Sequence, residues 1–251
     1  MTVLPIDLFD EMLQLTTTLF FEQENNLFFH FLEKESSTLI DVGCGNGDYL
    51  SRLHDTYPQL SLTGLEYEAG IFERAVRKQK DRLDFQLSSY ESASVEPDSA
   101  GAIVARLVMQ HIPDRIQFAE WAYKCMVPGG RLLLLDADDN ALQLNGRLPL
   151  FSQLYVQSRQ SMQSKGWLSF ADRLKLEMTH TGFTHLRTER YRLTAKDRET
   201  KRLLYRYMIC VTELYTKEPI SEEREKELSA WLHDDFCSHE IHMFGLEFQK
   251  R

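Results

Sequence analysis

Short apolar runs recur along the chain, separated by stretches whose apolar residues fall three or four positions apart. The runs at 38–42, 61–65, 83–87, 101–105 and 131–136 have the length and bulk of strands buried on both faces. Between them, 47–56, 68–79 and 114–125 carry the helical spacing. Strand and helix in alternation predict a parallel sheet covered by helices on both sides. Further on, a helix over 168–181 meets Gly182-Phe183, a glycine C-cap, and the pattern then turns strand-like over 185–193 and again over 241–248.

Three segments exceed this minimal alternation. Residues 1–34 read as amphipathic helices dense in phenylalanine, with Ile6, Phe9, Leu13, Leu19, Phe20, Phe21, Leu27, Phe28 and Phe31 on the apolar side. Residues 141–166 place Leu148, Leu150, Phe151, Leu154, Tyr155 and Met162 at mostly helical spacing. In 194–238, Thr194 opens a capping-box pattern closed by Asp197, a helix runs to about Tyr215, and Ser221-Glu222-Glu223 starts another. With no low-complexity linker and no internal repeat, the 251 residues read as one domain, 1–251, in which 35–140 is the ligand-binding half.

Charge narrows the function. A formal net charge of −9 without a basic tract argues against nucleic acid, whose phosphates need clustered Lys and Arg. The helix carrying Lys196, Arg198, Lys201, Arg202 and Arg206 also holds Glu199 and reads as a solvated face. Cys44, Cys125, Cys210 and Cys237 are scattered, as in a reduced, cytoplasmic protein. Neither a leader-like N-terminus nor a run long enough to cross a bilayer is present, so no membrane partner is expected; a monomer or homodimer is.

The chemistry sits where the first strand meets Gly43-Cys44-Gly45-Asn46-Gly47. Glycines at alternate positions let the backbone turn tightly against a ligand, and the helix that follows offers free N–H groups. A dinucleotide site needs G-x-G-x-x-G, whereas here the third glycine comes one residue early and Asp48 occupies the expected place. Asp41, just before the turn, suits a cation or amine better than a pyrophosphate. Glu66 ends the second strand, where an acid can accept from both ribose hydroxyls.

The segment from Asp41 to Gly47 closely resembles the first motif of the class I S-adenosylmethionine-dependent methyltransferases. Arg106-Leu107-Val108-Met109-Gln110-His111-Ile112-Pro113-Asp114 resembles that family's exit from strand four, and Pro128-Gly129-Gly130 its turn into strand five. The resemblance covers residues 38–136 and implies a Rossmann-like, seven-stranded, mostly parallel sheet whose last strand inserts antiparallel, plus helical lids over the cofactor's methyl group. It assigns S-adenosyl-L-methionine to Asp41, Gly43, Cys44, Gly45, Asn46, Glu66, Tyr67, Ser89, Tyr90 and Arg106. The implied acceptor is a small, partly apolar or aromatic metabolite, methylated at N, O or C, with Phe20, Asp136 and Tyr155 as its contacts.

Two positions depart from the family. Ser89 stands where an acid commonly accepts from the adenine amino group, with Tyr90 beside it to cover the ring. Arg106 replaces a small or polar residue and reads either as a holder of an anionic substrate or cofactor carboxylate, or as a surface ion pair. His111 is the candidate general base, or else packs or caps the next helix. Asp136, with Asp138, Asp139 and Asn140, is either a holder of a substrate amine or hydroxyl or a solvated helix entry. His239 and His242 fall an odd number apart on an expected strand, so they should face opposite ways and hold no metal. No Asn-Pro-Pro-Tyr-like motif follows strand four, which disfavours relatives that methylate adenine or glutamine amides, and no clear magnesium site supports a catechol-type relative. The alternatives are a non-catalytic or regulatory S-adenosylmethionine-binding protein and a nicotinamide oxidoreductase.

Overall fold

A computed structural model of the protein describes residues 5–34, 38–139, 145–160 and 168–251; Asn140, Met162 and much of the 141–166 segment lie outside the described residues. The seven strands form one sheet: β1 (Thr38–Val42), β2 (Ser61–Glu66), β3 (Leu83–Leu87), β4 (Ala100–Arg106), β5 (Met126–Ala137), β6 (Thr184–Ala195) and β7 (His239–Gln249). Their order is β3-β2-β1-β4-β5-β7-β6. The first five run parallel, and β7 pairs antiparallel with β5 and β6. The expected antiparallel insertion is present.

Both faces of the sheet are apolar because the parallel strands are covered on both sides. On one face Leu39, Leu62, Val104, Leu133 and Leu135 meet α1 (Ile6–Phe28), α2 (Asp48–Thr56) and α3 (Ala69–Ala75). On the other, Ile40, Leu65, Ile103, Leu132 and Leu134 meet α4 (Arg115–Cys125) and α6 (Phe170–His180). A third cluster joins α5 (Pro149–Gln160), α7 (Arg198–Thr216) and α8 (Glu222–His233) around Trp231 and Met208. No helix among the described residues is long and apolar enough to cross a membrane.

Boundaries moved where tertiary pairing overrode local signals. The 68–79 helix stops at Ala75 and tightens into a short 3-10 turn, Val76–Lys78. β5 begins at Met126 and β7 at His239, both earlier than the apolar runs suggest. Thr194 does not cap α7. It stays in β6 opposite Glu240, to which its hydroxyl donates at 3.1 Å, while Asp197 caps the helix by accepting from Thr200 N at 2.8 Å. Pairing along β7 outcompetes the local cap.

The N-terminal segment is one long α-helix followed by a short 3-10 turn, His30–Lys34, and the long helix serves two purposes. Its second half is core: Phe20, Phe21 and Phe28 are buried. Phe28 lies flat on β7 because Gly245 has no side chain; a Cβ there would sit 2.1 Å from the Phe28 ring. Its first half crosses the glycine turn.

Candidate cofactor and acceptor site

The β1–α2 turn is fixed from beneath by the end of β2. Gly43 N and Cys44 N both donate to Leu65 O, at 2.8 and 3.0 Å. Gly45 N donates to Glu66 Oε2 at 3.0 Å, and Glu68 N to Oε1 at 2.8 Å. Glu66 is therefore oriented by backbone donors with lone pairs to spare, and burial raises its pKa against those hydrogen bonds. Gly47 takes φ +77°, and a Cβ would lie 2.7 Å from the Phe85 ring and 3.2 Å from Ala75 Cα, so only glycine fits.

A cleft of about 230 Å³ opens beside this turn, bordered by Gly43, Tyr67, Ser89, Tyr90, Val108 and His111. Tyr67 is largely exposed at its edge. Tyr90 is wedged edge-on against Phe118, its ring centroid 5.4 Å away, and donates to Asp114 O at 3.3 Å; burial pushes its phenol up to about 12. The Ser89 hydroxyl is shared with Ser92 at 3.2 Å. Leu107, at the exit of β4, is held at φ +56° with its N–H donating to Leu135 O at 2.8 Å. A non-glycine residue in that region is strained, and the strain sets the direction of the chain into Val108 and His111.

Several expected contacts are otherwise engaged. The Cys44 thiol is buried under the sheet against Gly64, and burial raises its pKa; only its backbone belongs to the turn. Asn46 gives its carboxamide to Asp10 Oδ1 (2.7 Å) and Asp48 Oδ2 (3.0 Å). Arg106 does not border the cleft. Its guanidinium pairs with Glu24 of α1 at 2.7 Å, donates to Thr16 O at 3.3 Å and covers the Tyr49 ring at 4.5 Å, all in the interior, so it is neither an exposed ion pair nor a free anion holder. Tyr191 donates to the other Glu24 oxygen at 2.7 Å. Phe20 packs in the same core instead of facing an acceptor.

Asp41 is 3% exposed, and its Oδ1 has no partner among the described residues. Desolvation lifts its pKa to about 7, with Arg106 opposing and Glu66 adding to the rise. An orphaned buried carboxylate oxygen next to a glycine turn is a natural counter-charge for a bound cation.

Beyond His111 lies a polar cluster. Asp136, 2% exposed, accepts at Oδ1 from Ala137 N (2.8 Å) and Gln110 Nε2 (3.2 Å), and desolvation raises its pKa to about 6. Arg159 of α5 donates from Nε to Asp139 at 2.9 Å and lies over the Tyr155 ring. His111 itself is exposed at the cleft rim and does not cap α4, a task taken by Asp114, which accepts from Gln117 N at 2.9 Å. Desolvation, and after it the charge of Arg159, lower the His111 pKa, which keeps the ring neutral and able to accept a proton. Tyr155, Asp138, Asp139, His239 and His242 border a second, much smaller cavity of about 20 Å³. His239 packs edge-on against Phe151 and Trp231, whereas His242 lies 3.4 Å from Glu240. Glu24, Gln110 and Arg159 went unremarked in the sequence; only Gln110, adjoining His111, carried any signal.

The sequence profile of a family described as methyltransferase domain matches residues 11–188, well over half of the chain. Over 97 residues the chain is 32% identical to malonyl-[acyl-carrier protein] O-methyltransferase of Hahella chejuensis, a match spanning 38% of this chain and 34% of that protein. The chain thus aligns with about a third of that curated relative's length. Among solved structures, geranyl diphosphate C-methyltransferase of Streptomyces coelicolor, in complex with Mg2+, geranyl diphosphate and S-adenosyl-L-homocysteine, superposes with a TM-score of 0.56 at 12% identity, covering 92% of this chain and 79% of that one. Phosphoethanolamine N-methyltransferase 2 of Haemonchus contortus, in complex with S-adenosyl-L-methionine, gives 0.56 at 17% identity over 89% and 52% of the two chains. At such identities the superpositions speak for the fold. The matched profile, together with the 3-2-1-4-5-7-6 sheet and the glycine turn tied to an acid on β2, places this chain in the methyltransferase domain family.

Proposed function

We propose that the protein binds S-adenosyl-L-methionine in the cleft beside the glycine turn and transfers its methyl group to a small, partly apolar or aromatic metabolite at nitrogen, oxygen or carbon. The observation that carries this reading is the turn itself: left-handed glycines locked by backbone hydrogen bonds from Gly43 to Leu65 O and from Gly45 to the Glu66 carboxylate, with Asp41 Oδ1 unpartnered among the described residues. Glu66 would hold the ribose hydroxyls, Asp41 would balance positive charge, and Tyr67, Ser89 and Tyr90 would border the base. The solved neighbours with bound S-adenosylmethionine or S-adenosylhomocysteine support the cofactor, and their O-, N- and C-directed names leave the accepting atom open.

The sulfonium methyl arrives activated, so the protein's work is alignment, exclusion of water and removal of a proton. Neutral His111, at the rim of the cleft, would take the last of these, and its chain neighbour Gln110 donates to Asp136. The matched methyltransferase profile favours an enzyme over a pure sensor. Glu66→Ala removes hydrogen bonds to a charged acceptor worth about 1.5–3 kcal/mol each and should weaken S-adenosylhomocysteine binding at least about tenfold in calorimetric titration, with the fold retained. An unchanged dissociation constant would take Glu66 out of the site.

A further inference from the structure

The cluster behind His111 contains three buried polar atoms that find no partner among the described residues: Asp136 Oδ2, Gln110 Oε1 and Arg159 Nη2. Such atoms are costly, and three of them in one hydrogen-bonded group are not expected unless a ligand completes them. They differ in kind. Arg159 offers a donor at Nη2, because its Nε is already taken by Asp139. Asp136 and Gln110 offer acceptors, because Gln110 spends its amide N–H on Asp136 Oδ1.

Charge sharpens the picture. Arg159 and Asp139 balance one another at 2.9 Å, which leaves Asp136 as the unpaired acid. A purely anionic ligand would satisfy Arg159 and repel Asp136; a purely cationic one would do the reverse. In hydrogen bonds, a molecule carrying both an acid and a donor leaves none of the three atoms unpaired. The walls next to the cluster are aromatic, with Tyr155 stacked on Phe151 at 5.7 Å between centroids.

Resting on the function proposed above, we infer that the methyl acceptor is an amino acid or hydroxy acid, its carboxylate held by Nη2 of Arg159 and its amine or hydroxyl by Asp136 and Gln110. Arg159 is then the specificity-determining residue of the acceptor site. Guanidinium suits this better than an ammonium, since Nε stays on Asp139 while Nη2 meets the ligand.

The test is calorimetry on the full chain, with and without saturating S-adenosylhomocysteine, using glycine, L-phenylalanine, L-tyrosine, lactate, phenyllactate and the methyl ester of each. At least one free acid should bind, and its ester should bind about 10- to 100-fold more weakly. Binding confined to the amino acids or to the hydroxy acids tells which donor is used. In Arg159→Gln the difference between acid and ester should vanish while S-adenosylhomocysteine affinity stays within about twofold; Arg159→Lys should restore only part of it. The inference is overturned if no acid binds, if acid and ester bind alike, or if the preference survives Arg159→Gln. Should that variant not fold, the wild-type comparison and Arg159→Lys decide. Loss of the cofactor reading is a separate result: acid selectivity without any binding of S-adenosylhomocysteine would retain Arg159 and discard the cofactor.

Discussion

Two carboxyls in this protein are held away from water at a cost to its stability. Asp41, with an ordinary value of 3.8, is lifted to about 7, and Asp136 to about 6, each chiefly by desolvation. A folded-state pKa above the unfolded one means that stability is full below pH 3.8 and falls as pH rises toward 7, for Asp41 by on the order of 4 kcal/mol. Asp41→Asn should therefore be more stable than wild type at pH 8, with the gap closing toward pH 4, in urea unfolding at a series of pH values. An equal gap at every pH would show that Asp41 titrates alike in the folded and unfolded protein. His111 carries the complementary prediction for turnover. A positioned base contributes about 10²- to 10⁴-fold, so His111→Ala should lower turnover by that much with cofactor affinity within a few-fold. If the pH profile keeps its limb near neutral pH in the variant, the proton goes elsewhere, with Asp136 next in line.

At the scale of the element, α1 is the part whose role depends most on what it touches. Leu13 lies against Gly45, Asp10 holds Asn46, and Asp7 pairs with Arg74, so its first half sits over the glycine turn as a cover. What anchors that cover is buried. Glu24 is fully enclosed and shared between Arg106 and Tyr191, whereas Glu11 makes a comparable bidentate contact with Arg206 at the surface. Breaking an interior pair strands a charge, while an exposed pair is screened. Glu24→Gln should lose about 3–5 kcal/mol in chemical denaturation and Glu11→Gln no more than about 1 kcal/mol. Similar losses from both would mean that the Glu24 cluster is wetter than its geometry indicates.

For the molecule as a whole, the last strand is the keystone. β7 lies between β5 and β6, and its Met243, Phe244, Leu246 and Phe248 are all buried. Without it, β6 has no partner and both faces of β5 lose their neighbours' packing. A chain ending at Ser238 should show no cooperative unfolding transition, read by near-ultraviolet circular dichroism and limited proteolysis; a cooperative transition would mean that the first five strands fold alone. The same closure lets the third helical cluster pack on Ile241 of β7, beside Ala137 at the end of β5, so that Arg159 of α5 reaches Asp139.

The sequence by itself determined the layered fold and the glycine turn, because both depend on local signals: apolar runs of strand length, helical spacing, and glycines where a side chain would clash. Glu66 was legible for the same reason, as the acid that ends a strand. It could not place Arg106. A lone arginine after a strand reads the same whether it meets a ligand or Glu24, and those two residues lie 82 positions apart. Phe20 was misread alike, since a phenylalanine on an amphipathic face is core or lid according to what packs on it. Thr194 lost its cap to β7, 46 residues away. Arg159 gave no signal at all, for what draws attention to it is three atoms without partners among the described residues, and unsatisfied hydrogen bonds exist only in three dimensions.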